Sequence, residues 1–264
     1  MGAICAVVPA CNEEDHIGAC LAALDTARRV LAVEAPGWSS HVVVVLDACT
    51  DATEEIVRQH PGVQAIRVRE RCAGAARAAG AAAALDGPAA APRPGPVPQR
   101  ATTPRQQQTP QLQQTPQQAE APAAPAPEPW LACTDADSTV PATWLVDHVR
   151  AAQAGWDARV GTVEPLLGED FTAADAQRWA SQHTLGPGHP HVFGANLGIS
   201  AHAYRAVGGF APLHVGEDVD IVERIRARGL PVQATAEAPV TTSARPRSRV
   251  AGGFASYLAR LSAQ

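Results

Sequence analysis

A chain of 264 residues with 46% hydrophobic side chains can bury a substantial core, as one large domain or two small ones. Its formal net charge of -5, with no basic block, excludes the electrostatic footprint of a nucleic-acid binder. There is no lysine, so every fixed positive side chain is an arginine and chemistry that needs a lysine is excluded.

Six cysteines (Cys5, Cys11, Cys20, Cys49, Cys72, Cys133) form no C-x-x-C pair and no zinc-type Cys/His spacing. Several lie in apolar runs, where a reduced thiol packs as a small hydrophobe, and they read as thiols of a cytoplasmic protein. No apolar run approaches the ~20 residues of a membrane-spanning helix. Residues 1–8 lack the positive region of a signal peptide and Pro9 arrives too soon for one; Ala6 stands where a myristoylation start places Ser or Thr.

Residues 3–8 are a fully apolar run of strand length. Asn12 then reads as a helix cap, with Glu13, Glu14 and Asp15 in the first turn and Ile17, Leu21, Leu24 and Leu31 at helical spacing. Residues 41–46 make a second buried strand, Thr50 or Asp51 caps a short second helix, residues 63–68 make a third strand, and residues 74–85 an alanine-rich helix. Near-continuous apolar strands joined by helices predict an α/β fold whose parallel sheet is covered on both faces.

From 87 to 129 the chain turns to Pro, Gln, Ala and Thr, a composition that cannot bury enough apolar surface to offset its ordering entropy. It is expected to be a disordered insertion, because both flanks read as parts of one sheet within a single domain over 1–264. A linker between two independent domains is the alternative. Beyond it, the pattern predicts a strand at Leu131, a helix over 143–154, a strand near 159–163, a helix over 172–182 and a Gly/Pro/His loop at 186–190. A strand over 192–200 and helices over 202–207 and 217–227 follow.

Ligands of open α/β sheets bind beyond the carboxyl ends of the strands, which places residues 9–12, 47–51 and 135–137 on one rim. Asp135 and Asp137 follow the apolar run 130–133 directly. Residues i and i+2 of an extended segment share a side, so the pair can face one hard divalent cation together; an ordinary turn is the competing reading.

In chain order, Val7-Val8-Pro9-Ala10-Cys11-Asn12-Glu13-Glu14, Val45-Leu46-Asp47-Ala48-Cys49-Thr50-Asp51, Gly74-Ala75-Ala76-Arg77, Thr134-Asp135-Ala136-Asp137-Ser138 and Gly216-Glu217-Asp218 resemble the family 2 glycosyltransferases of GT-A fold. That resemblance implies a Rossmann-like α/β/α sandwich around a mainly parallel sheet. It implies transfer of a sugar from a nucleotide-diphospho-sugar donor to an acceptor hydroxyl, with Mg²⁺ or Mn²⁺ and with inversion. Pro9, Ala10, Asn12 and Glu13 match the first nucleotide-binding turn, and Asp47 the base-binding aspartate, although Leu46 replaces the first member of the commoner aspartate pair. Arg77 matches an arginine near the nucleotide, Asp135 and Ala136 the ribose side of the metal motif, and Asp137 the metal ligand. Asp218 matches the general base, with Glu217 orienting the acceptor or holding the loop, and Gly194, Ala195 and Asn196 match the acceptor side.

Arg245, Arg247 and Arg249 read as a solvated tail or as a phosphate clamp. His183, His189, His191, His202 and His214 have the scattered spacing of loop histidines, with an extra metal ligand among them as the alternative. Residues 135–139 also fit the D-x-D-x-T pattern of haloacid-dehalogenase-type phosphatases, which the absence of lysine opposes; a non-catalytic nucleotide-sugar or partner-binding protein is the remaining alternative.

Overall fold

The structure, a computed structural model, describes residues 1–85, 127–166, 171–183 and 186–245. Most of the predicted insertion, and Arg247 and Arg249 with it, lie outside the described residues. The first half alternates as the sequence predicts: β1 (Gly2–Ala10), α1 (Ile17–Glu34), β2 (Trp38–Asp47), α2 (Thr53–Arg58), β3 (Val63–Val68) and α3 (Ala73–Leu85). After residues 86–126 come β4 (Trp130–Cys133), β5 (Ser138–Thr139), α4 (Trp144–Gln153), β6 (Ala158–Val160), β7 (Val163–Pro165) and α5 (Ala173–Gln182). A 3-10 turn (Gly194–Asn196) leads into β8 (Leu197–Ser200), α6 (Ala201–Ala206), α7 (Glu217–Ala227), β9 (Val232–Ala234) and β10 (Val240–Thr242).

Seven strands form one sheet in the order β3-β2-β1-β4-β8-β6-β9, and β5-β10-β7 form a second, three-stranded one. β3, β2, β1 and β4 are parallel, while β8 runs antiparallel to both β4 and β6. Pairing of β4 with β1, from Ile4 opposite Trp130 to Val7 opposite Cys133, puts the chain on both sides of residues 86–126 into the same sheet.

Strand alternation divides the core in two. Ile4, Ala6, Val8 and Ala10 pack with Leu21, Leu24 and Leu31 of α1, Val57 of α2 and Trp144 and Val149 of α4. Cys5 and Val7 face the other way, onto Ala76 and Ala81 of α3, Ala203 of α6 and Ile221 and Ile225 of α7. Both faces are therefore covered, which is why the strands carry consecutive apolar residues. Burial pushes the Cys5 and Cys133 thiols up to about 12, so they pack as neutral apolar groups.

Four local expectations are corrected, the first being the strand read over 192–200, of which only Leu197–Ser200 is strand and Gly194–Asn196 a 3-10 turn. α1 starts at Ile17, so Asn12 is not its cap and Glu13 to Asp15 precede the helix. Asn12 instead takes a left-handed φ of 55°, which asparagine tolerates, and its Oδ1 accepts from the Thr50 N–H at 2.7 Å, tying two loops together. At α2 the cap position is Ala52, while Asp51 accepts from the Thr53 N–H at 3.0 Å. The stretch read as one strand near 159–163 divides between β6 and β7, in different sheets. A Cβ at the intervening Gly161 would lie 2.3 Å from the Asn196 amide nitrogen, so the chain turns there against a buried side chain.

Candidate functional site

The carboxyl ends of β1, β2 and β4 lie side by side, and antiparallel β8 brings its preceding turn, Gly194–Asn196, to the same rim opposite Cys133. Side chains arriving there from distant parts of the chain form two ion-pair systems joined through residues 135–137.

Arg77 of α3 organises the first system. It is buried, donates to Asp135 through one terminal nitrogen and to Glu217 through the other, and so links the end of β4 to the first turn of α7. Gly194 permits this approach, because a Cβ there would lie 2.5 Å from an Arg77 terminal nitrogen. The next residue of α7, Asp218, accepts from the Gly194 N–H at 2.7 Å and from the Val219 N–H at 2.9 Å. Although burial opposes its charge, Asp135 and Asp218 hold Arg77 above the ordinary arginine range.

Arg245 organises the second. Its terminal nitrogens meet the two Glu13 oxygens at 2.9 and 3.0 Å, and one also lies 3.0 Å from Asp137 Oδ2. The small sheet positions it: β10 pairs with β5, the Ser138 hydroxyl donates to Thr242 Oγ1 at 2.8 Å, and the Ser243 N–H donates to the Asp137 carbonyl at 3.1 Å. Among the described residues around Asp135 and Asp137, five carboxyl groups thus face two guanidiniums, a formal excess of three. Burial and then the Asp135 charge push the Asp137 carboxyl up to about 7, against the pull of Arg245.

Asp47 ends β2 buried at the rim, and its two oxygens accept from the Arg71 and Cys72 N–H groups at 2.8 and 3.0 Å. It holds the loop before α3, which carries Arg77. Pro9 is half-buried on β1 while Ala10 and Ala136 are buried beside it. Ala195 and Asn196 are buried too.

Asn196 departs from the acceptor-side expectation. Its oxygen accepts from Trp144 Nε1 at 3.0 Å and Arg159 at 3.3 Å, and its nitrogen donates to the carbonyls of Thr162 at 2.9 Å and Ala238 at 3.1 Å. An amide fully used inside the protein braces the turn from below. Arg159, whose second nitrogen donates to the Glu237 carbonyl, belongs to this brace and was missed; the signal was an arginine inside an apolar strand of three residues.

Four of the five histidines have partners of their own within the protein. His183 stacks on Trp179 at 3.6 Å, His191 lies 4.9 Å from His183, and His189 and His214 meet the carbonyls of Thr235 and Arg71. Among the described residues no group of three or more His, Cys, Asp or Glu side chains is arranged around a metal position. The donor set on the rim is Asp137 with Asp135 beside it, which suits an ion that keeps waters and takes its other ligands from phosphate oxygens. A hollow of about 440 Å³ lined by Leu24, Arg28, Val42, His60 and Val63 lies at the opposite, amino ends of β2 and β3, away from this chemistry.

Comparison with known families matches residues 5–86 to the model described as Glycosyl transferase family 2. No curated protein matches the sequence. Among solved structures the chain is similar to S. aureus TarS, with TM-score 0.57 and 13% identity over 92% of this chain and 37% of that one. It is similar to the mannosyltransferase PcManGT from Pyrobaculum calidifontis in complex with GDP-Man and Mn²⁺, with TM-score 0.55 and 18% identity over 93% of this chain and 58% of that one. A third is M. tuberculosis glucosyl-3-phosphoglycerate synthase with Mn²⁺, UDP-Glc and phosphoglyceric acid, with TM-score 0.50 and 15% identity over 93% and 72% of the two chains. The chain therefore spans 37% and 58% of the length of the first two, and likeness at these identities is likeness of fold.

Proposed function

The chain has the GT-A fold and its residues 5–86 match glycosyl transferase family 2, and on that premise we propose that it transfers a sugar from a nucleotide-diphospho-sugar to an acceptor hydroxyl, with inversion. The observation that carries this reading is the convergence of Glu13, Asp135, Asp137, Glu217 and Asp218 on one rim, where among the described residues Arg77 and Arg245 are the cations paired to them. Such a surplus of negative charge does not attract a bare diphosphate; it fits a diphosphate accompanied by a divalent cation. Asp137 would hold Mg²⁺ or Mn²⁺, and the bound ion would neutralise the charge growing on the leaving diphosphate. The solved relatives bound to Mn²⁺ and a nucleotide sugar support that choice.

The chain's own residues then divide the remaining work. Arg77, locked between Asp135 and Glu217, fixes Asp135 on the ribose side and Glu217 behind the base. Pro9, Ala10 and Ala136 present close backbone to the nucleotide, and Asp47 shapes the adjoining loop. Asp218 is half-exposed, aimed by the Gly194 N–H, and near enough to Asp135 and Arg77 for its charge to act on both, which supports assigning it the acceptor proton. The buried thiols belong with a cytoplasmic location, and among the described residues no helix is long and apolar enough to cross a membrane.

Asp218→Asn tests the assignment. An amide oxygen can still accept from Gly194, so the turn and donor binding should survive, while transfer should fall by roughly 10²–10⁴ as expected for loss of a general base. Turnover of donor and acceptor at the unsubstituted rate would place the base elsewhere.

A further inference from the structure

The side chain beside Asp137 is already a cation. Arg245 is only 24% exposed, spans Glu13 with both terminal nitrogens and still reaches Asp137 Oδ2 at 3.0 Å. It is held there by the pairing of β10 with β5 and by the Ser243 N–H on the Asp137 carbonyl, so its place is set by secondary structure. A divalent ion bound directly to a carboxylate oxygen cannot share that oxygen closely with a guanidinium, since like charges repel at contact.

We propose that Arg245 is an internal counter-ion that competes with the divalent ion for Asp137 and so makes metal binding depend on the donor diphosphate. This rests on the donor-site reading above. With no phosphate present, Arg245 offsets part of the charge of Glu13 and Asp137 and occupies Asp137 Oδ2, and the affinity for a free ion is low. A diphosphate arriving with its metal offers the guanidinium two anionic groups in bidentate geometry, a better partner than a shared carboxylate. Arg245 can then exchange Asp137 for phosphate while the ion takes the carboxylate. The site therefore discriminates against binding a bare metal ion.

The test is Mn²⁺ binding to the full chain, read by loss of the free-ion paramagnetic resonance signal, without nucleotide and with saturating UDP or GDP. For Mn²⁺ alone, Arg245→Gln should bind about tenfold more tightly than the unsubstituted protein, as expected when a like charge is removed at contact distance. With the nucleotide that binds, the advantage should vanish or reverse. Arg245→Lys, which keeps the charge and loses the fork, should remain weak for Mn²⁺ alone; it also serves if the glutamine variant fails to fold. Equal or weaker binding of Mn²⁺ alone by Arg245→Gln, or a gain in Arg245→Lys, overturns the competition while leaving the donor site in place. Absence of Mn²⁺ binding in every variant, with and without nucleotide, overturns both.

Discussion

A guanidinium with 6% of its side chain exposed, paired to Glu217 at 4% and to Asp135 at 38%, carries most of the electrostatic order of the rim. Removing it would leave Glu217 buried and unpaired, and breaking a buried pair from one side costs about 3–5 kcal/mol. Arg77→Met should therefore lower unfolding stability by about 3 kcal/mol in urea titration, the open side of Asp135 moderating the loss. A change below about 1 kcal/mol would show that the pair is not formed in solution. At this scale the gathering of residues 9–12, 47–51 and 135–137 on one rim was legible in the sequence, because each follows a buried strand of one parallel sheet. The roles of Asn12 and Asn196 were not, because their partners Thr50, Trp144 and Arg159 are remote in sequence and only the sheet order brings them together.

α3 reaches Arg77 to the rim by lying unusually close to the sheet. A Cβ at Gly80 would sit 2.5 Å from a Val7 methyl and 2.9 Å from a Val45 methyl, both buried in the β1–β2 face. Gly80→Val gains a little helix propensity, well under ~1 kcal/mol, but overpacks a dense core at a typical cost of 1–3 kcal/mol. The clash wins: the variant should unfold at lower temperature, by about 2–8 °C for a domain of this size. An unchanged midpoint would contradict the close packing. The long apolar strands and α1 to α4 could be read from their periods, while β5, β9 and β10 have only two or three residues and show no period. Of these, β5 and β10 are the pair that holds Arg245 beside Asp137, so the part of the site built by pairing geometry was the part the sequence concealed.

At the scale of the molecule, β4 enters the sheet next to β1 although 44 residues separate Leu85 from Trp130. Among the described residues β4 pairs directly with β1, and loop-closure entropy grows slowly with length, by about 0.6 kcal/mol per doubling. Replacing residues 88–128 by a short Gly/Ser linker should leave a soluble protein with an unchanged unfolding midpoint; aggregation or a large fall in midpoint would assign the segment a structural part. The parallel half of the sheet followed directly from the buried valine strands, and the antiparallel placement of β8, which delivers Gly194 to Asp218, did not. The central claim is that Asp137 holds the cation of a nucleotide-diphospho-sugar site, and the most direct measurement is thermal unfolding of the unsubstituted chain and of Asp137→Ala against UDP- and GDP-sugars, with and without Mn²⁺. A donor at about a hundred times its Kd should add about 2.7 kcal/mol, or roughly 5–10 °C, and only when Mn²⁺ is present. That increment should disappear in Asp137→Ala; the same Mn²⁺-dependent rise in both proteins would contradict the assignment.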